Sequence, residues 1–155
     1  MKVTIPLSKP KYLLSSASII VEYKINIIKI MNFLVIDGTQ NKINFFSYFN
    51  NNSYNKSFQF SKNNNEKFSS LLFSFLNENN INLNELNNVF VNQGPGKFSG
   101  IRTSIAVAKA LSITNNINLY GFNSEELKGM NYIHIIDLYN EGRLTKNLIN
   151  PVYSS

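Results

Sequence analysis

Cysteine is absent from this 155-residue chain, and histidine occurs once, at His134. The first absence excludes disulfides, thiolate metal sites and thiol nucleophiles, and it suits a reducing, cytoplasmic compartment. The second leaves no histidine cluster with which to hold a metal. Acidic residues are scarce too: nine Asp and Glu stand against fifteen Lys and Arg, for a net charge of +6. That balance suits an RNA-associated protein, but the lysines are scattered and the aromatics sit mostly in apolar runs, so the charge reads first as solvated surface. Long hydrophobic runs are also missing. The apolar stretch at residues 12–21 is short for a membrane span, Glu22 and Lys24 interrupt it, and a strand-like segment at 25–30 stands where a cleavage site would be expected. No membrane association is expected.

What remains is enough for one domain with a sizeable core. Residues 1–30 read as an extension of uncertain structure, an added strand or a loose lead-in, with Met31 as the natural start of the main unit. Phe33, Leu34, Val35 and Ile36 form a short continuous apolar run, the pattern of a central buried strand, and it delivers Asp37, Gly38 and Thr39 at its end. Residues 43–49 and 53–60 are rich in β-formers around an asparagine turn at 50–52, which predicts a three-stranded meander. Phe68, Leu71, Leu72, Phe75 and Leu76 fall at helical spacing within residues 65–77. Val89, Phe90 and Val91 make the next strand, and a helix follows with Ile101, Ile105, Ala108 and Leu111 on one stripe. A strand at 117–122 leads to Asn123 and Glu126, spaced as a capping box. Residues 132–137 read as one more strand. The fold class is α/β, a mixed sheet with the order βββαβαβα. Asparagine is the commonest residue, concentrated at turns and surface positions between 50 and 92, and reads as compositional drift interrupted by regularly spaced Phe and Leu.

Between the fourth strand and its helix lies the turn Asn92-Gln93-Gly94-Pro95-Gly96-Lys97-Phe98-Ser99-Gly100-Ile101-Arg102. Its glycines permit backbone shapes and approaches that a side chain would block, and Pro95 pushes Gly94 towards an extended form. A Walker loop is excluded, because the residue five after Gly94 is Ser99 and Gly100 is followed by Ile101. A dinucleotide fingerprint fails as well: the turn has one residue too many, and no acid follows at the required distance. A packing turn without a ligand is the alternative. Arg102, in the first turn of its helix, opposes the helix dipole, which suggests an acid or an anion beside it, or else a free surface position.

The glycine turn, the strand ending in Asp37-Gly38-Thr39, and the segment Ala106-Val107-Ala108-Lys109-Ala110-Leu111 together resemble the TsaB (YeaZ-like) family. This is a Gcp-like group within the actin/sugar-kinase/Hsp70 superfamily. The family pattern Gly-Pro-Gly-Ser-Phe-Thr-Gly-Leu-Arg is matched with Lys97, Ser99 and Ile101 as substitutions, and residues 117–127 are similar to the strand and Ser-containing turn that follow. Phe98 with Arg102 favours this branch over the related catalytic paralogue TsaD. Two departures stand out: Asn64-Asn65-Glu66 replaces the family's His-Ser-Glu, and only the first residues of a second lobe follow the first.

The resemblance implies a single ribonuclease H-like (actin-like ATPase) lobe over residues 31–130, with 131–155 a remnant of a second lobe or a tail. It implies a non-catalytic scaffold subunit, without catalytic or metal-binding residues of its own, that pairs with a TsaD-like subunit. The pair would support threonylcarbamoyl transfer to adenosine 37 of tRNA, the t6A modification. ATP and metal would belong to the partner subunit, a TsaE-like ATPase would be a further associate, tRNA would be met indirectly, and a homodimer is a possible assembly. The partner surface would be the two helix stripes, Phe68, Leu71, Leu72 and Phe75 with Ile101, Ile105, Ala108 and Leu111, unless both face only their own sheet. Gly94, Pro95, Gly96, Phe98, Gly100 and Arg102 carry the loop motif. Asp37 and Thr39 would be a vestigial phosphate or metal site, or a simple turn cap. The rivals from other classes are a stand-alone nucleotide-binding enzyme of the sugar-kinase or metallopeptidase-like kind and a basic RNA-binding module.

Overall fold

Strand β1, Phe33–Asp37, is buried along its whole length, as its unbroken apolar run requires of a strand covered on both faces. It belongs to a computed structural model that describes residues 31–129 and 131–155, together with Ser18. The extension expected at 1–30 falls outside those residues. On one side β1 pairs antiparallel with β2 (Lys42–Phe49), which pairs antiparallel with β3 (Asn52–Gln59). Asn50 and Asn51, at φ 50° and 65°, close that hairpin as a two-residue turn. Positive φ at both central residues matches the twist of the flanking strands, and asparagine tolerates it. On its other side β1 runs parallel to β4 (Asn88–Asn92), and β4 parallel to β5 (Asn118–Phe122). The sheet order is β3-β2-β1-β4-β5.

Each face of the sheet carries its own core. On the first, Leu34, Ile36, Phe45 and Val91 meet helix α2 (Phe68–Glu78) and helix α3 (Phe98–Asn115). The single helix expected at 65–77 is two: α1 (Lys62–Glu66) starts at Ser61, whose side chain accepts from the Asn64 amide, and the chain bends at Lys67 before α2. On the second face, Phe33, Val35, Phe46 and Phe90 are covered by Leu127 of helix α4 (Ser124–Leu127) and by Ile135, Ile136 and Leu138 of helix α5 (Ile135–Asn140).

That second cover corrects the strand expected at 132–137. Residues 132–134 form a 3-10 turn, opened by the Asn131 side chain accepting from the Ile133 amide, and α5 follows directly. A short apolar run suits strand and helix alike. Here the exposed face of the sheet settled the choice, because α5 lays three buried side chains on it while adding no new edge. The capping box at α4 forms as expected, with Asn123 accepting from the helix amides and Glu126 accepting from the Asn123 amide.

Candidate functional site

The ends of β1 and β4 and the start of α3 converge on Asp37, which is almost fully buried. One carboxylate oxygen, Oδ1, accepts from the Thr39 amide at 2.9 Å and from its hydroxyl at 2.6 Å. The other, Oδ2, accepts from Asn92 Nδ2 at 2.9 Å and from the Tyr132 hydroxyl at 2.7 Å. Donors to a carboxylate make the strong hydrogen bonds of a protein interior, so this side chain is clasped on both oxygens by groups from its own chain. Asn92 also braces the turn: its Oδ1 accepts from the Gly94 amide and from Ser124 Oγ, each at 3.0 Å.

Tyr132 completes the arrangement from the 3-10 turn before α5. Burial, reinforced by the Asp37 charge and hydrogen bond, pushes its phenol well above the ordinary tyrosine range, so it stays neutral and donates. The cavity beside it, about 540 Å³, is lined by Asp37, Gln40, Asn44, Asn55, Ser57 and Tyr132 among others. Among the described residues no group of His, Cys, Asp and Glu comes together as a metal cluster.

The glycine turn is spent on packing. A Cβ on Gly100 would lie 2.1 Å from the Gly38 carbonyl oxygen, so the start of α3 sits backbone against backbone on the turn that carries Asp37. Gly94 has φ +116°, a region closed to L side chains, where an extended form was expected; the Asn92 side chain turns its amide inward. The Lys97 amide donates to the Thr39 carbonyl at 3.0 Å. Above the turn lies residue stretch 149–154: Val152 N donates to Gln93 O at 2.7 Å, Gln93 Nε2 to Asn150 O at 3.0 Å, and Gly96 bridges Tyr153. Ile149 anchors this stretch in the core.

Sequence reasoning named Asp37, Thr39, Gly94, Pro95, Gly96, Phe98, Gly100 and Arg102, and the structure brings all of them to this end of the sheet. Arg102, expected either beside an acid or an anion or at a free surface position, lies 5.0 Å from the centre of the exposed Phe98 ring, and Phe98 stacks on Tyr153. Asn92 was missed, though a polar residue closing the run Val89-Phe90-Val91 was a usable signal. Tyr132 had no such signal, being far from Asp37 along the chain.

The helix stripes need correction as a partner surface. Phe68, Leu72, Phe75, Ile101, Ile105, Ala108 and Leu111 are at most 5% exposed and belong to the chain's own core, while Leu71 is half-buried at its margin. An amphipathic helix turns its apolar stripe to the nearest sheet, and both helices had one. The sides left to water carry other residues: Phe73 on α2, and Ala106, Ala110 and Ile113 on α3, the last 81% exposed.

Residues 58–136, just over half of the chain, match the family model for TsaD, tRNA N6-adenosine threonylcarbamoyltransferase. The tRNA threonylcarbamoyladenosine biosynthesis protein TsaB of Buchnera aphidicola subsp. Baizongia pistaciae is 38% identical over 47 residues, 30% of this chain and 21% of that protein. Its counterpart from Buchnera aphidicola subsp. Schizaphis graminum is 46% identical over 44 residues, 28% of this chain and again 21% of the relative. The matches thus span about a fifth of these curated relatives. In structure the chain is similar to YeaZ from Pseudomonas aeruginosa, with TM-score 0.56 at 15% identity over 60% of this chain and 44% of that one. A second solved structure, titled as an uncharacterized protein with similarity to peptidase YeaZ from Pseudomonas aeruginosa, gives TM-score 0.57 at 13% identity over 64% and 49%. These two likenesses concern the fold, a single α/β lobe of the ribonuclease H-like, actin-like kind.

Proposed function

The chain belongs to the TsaD family and is TsaB-like, and from that premise we propose that it is a non-catalytic subunit in t6A biosynthesis. It binds a TsaD-like partner and supports the partner's transfer of a threonylcarbamoyl group to adenosine 37 of tRNA. The observation that carries this reading is the state of Asp37. In an actin-like lobe the acid at the end of β1 is the group that would face a nucleotide-bound metal. Here both of its oxygens are engaged by Thr39, Asn92 and Tyr132. The neighbouring glycine turn, the other place for phosphate, is covered by residues 150–154. An ATP–metal complex does not fit these residues without displacing Tyr132, so no reaction step is assigned to them. Asp37 and Thr39 act as the internal clasp that joins β1, β4 and α3.

The partner meets the outer side of α3. Thr103, Ala106, Ala110 and Ile113 fall three, four and three residues apart on one uncharged stripe, with Phe73 exposed on the neighbouring α2. Small side chains let a second helix approach closely, and interaxial distance is set by the residues at the contact. Pull-down against a TsaD-like protein tests this. Ala110→Glu and Ile113→Glu are expected to abolish capture while leaving thermal unfolding unchanged. Ile105→Glu is no control, because it buries a charge in the core. Capture undiminished in both surface variants would overturn the docking face, and ATP turnover by the purified chain alone would overturn the non-catalytic role.

A further inference from the structure

Phe98 and Tyr153 lie side by side on the surface, 57% and 42% exposed, with ring centroids 4.7 Å apart and planes 27° from parallel. Single exposed aromatics are ordinary, but a stacked pair held open to water has already given up the rotamer freedom that binding would otherwise cost. Arg102 lies one helical turn after Phe98 and places its guanidinium 5.0 Å from the Phe98 centroid. Beside the rings opens a hollow of about 450 Å³, lined by Thr39, Gln40, Asn41, Lys42, Gly96, Lys97 and Ser154. Lys97 Nζ donates to Asn41 Oδ1. No Asp or Glu lines the hollow, and among the described residues Lys42, Lys97 and Arg102 take no part in an ion pair. Lys42 and Lys97 line this hollow and Arg102 lies over the Phe98 ring, so the stacked pair is flanked by cations.

We propose that this platform binds single-stranded RNA, with unpaired bases stacking on the Tyr153 face turned away from Phe98 and on the Arg102 plane, and phosphates meeting Lys97 and Lys42. Every base offers a π-face, so aromatic platforms flanked by cations take single strands with little sequence preference. The net charge of +6 adds a long-range attraction of the same sign. A duplex keeps its bases stacked and hidden, and reaches the cations only through its backbone. The scaffold reading needs no RNA contact by this chain, so the two proposals stand or fall separately.

The test is fluorescence anisotropy with the full chain and three labelled probes: a 12-nucleotide single strand, a hairpin with a seven-nucleotide loop, and a blunt duplex. The single strand and hairpin are expected to bind about tenfold more tightly than the duplex, in line with one stacked base. Phe98→Leu and Tyr153→Leu keep apolar bulk but lose the ring, and each should weaken single-strand binding about tenfold, whereas Tyr153→Phe should restore it. Neither leucine variant should alter the salt dependence. Lys97→Gln should lower the slope of log affinity against log salt by about 0.7, the value for one phosphate on a single strand. Equal affinity for the duplex, leucine variants that bind as wild type, or displacement of RNA by polyglutamate at equal charge would overturn the proposal. So would an absence of RNA binding, which would leave the rings to a protein partner. A thermal melt of each variant verifies that the surface changes leave the fold intact.

Discussion

At the scale of single residues, the Asp37–Tyr132 pair carries the largest consequence. Tyr132→Phe removes one charge-assisted donor from a buried carboxylate and is expected to destabilise the chain by about 1.5–3 kcal/mol, read from urea unfolding. The same pair predicts a pH effect. The folded chain holds the phenol neutral above the ordinary tyrosine pKa of 10.0, whereas the unfolded chain ionises it there. Stability from this group is therefore complete below pH 10 and is lost as pH rises further. Tyr132→Phe should show a shallower alkaline loss than wild type. If the two decline in parallel, the phenol is not held as described. Asparagine also acquires meaning at this scale: Asn50, Asn51, Asn80 and Asn116 all sit at positive φ. An excess that looked like drift supplies the residue type that tolerates left-handed backbone at two hairpin positions and two helix ends. Gly100→Ala would drive a methyl into the Gly38 carbonyl, and a loss of about 1–3 kcal/mol is expected on denaturant unfolding.

At the scale of elements, helical periodicity reports that a stripe is buried but not by what. The stripes on α2 and α3 were legible, and both turned out to face the sheet. The same ambiguity misread residues 132–137, whose apolar run fits strand or helix until a vacant sheet face selects one. Local signals fared better where they were self-contained. The capping box at Asn123 and Glu126 needs only neighbouring backbone, and it formed. Asn123→Ala is expected to cost about 1 kcal/mol in thermal or denaturant unfolding.

At the scale of the whole molecule, residues 149–154 tie the glycine turn to the core. Ile149 is buried at 4% exposure, and the Val152 and Ser154 amides beyond it bond to Gln93 and Gly96. Ile149→Ala should destabilise by about 2–5 kcal/mol. It should also speed hydrogen exchange at Val152 more than at Val35 on β1, because the stretch can lift without the sheet unfolding. Equal acceleration at both amides would mean that the stretch opens only with the whole fold.

The sequence by itself determined the strands with unbroken apolar runs, the helix stripes, the shape-restricting glycine turn and the family to which they belong. These follow from steric and periodic rules that act within a few residues. The tertiary structure alone decided which surface each stripe covers, that Tyr132 reaches Asp37 across the sheet, and that Phe98, Tyr153 and Arg102 share one patch. Those outcomes depend on which distant groups meet when the two faces of the sheet are closed. A one-dimensional pattern carries the demand for burial, and only packing assigns the partner that meets it.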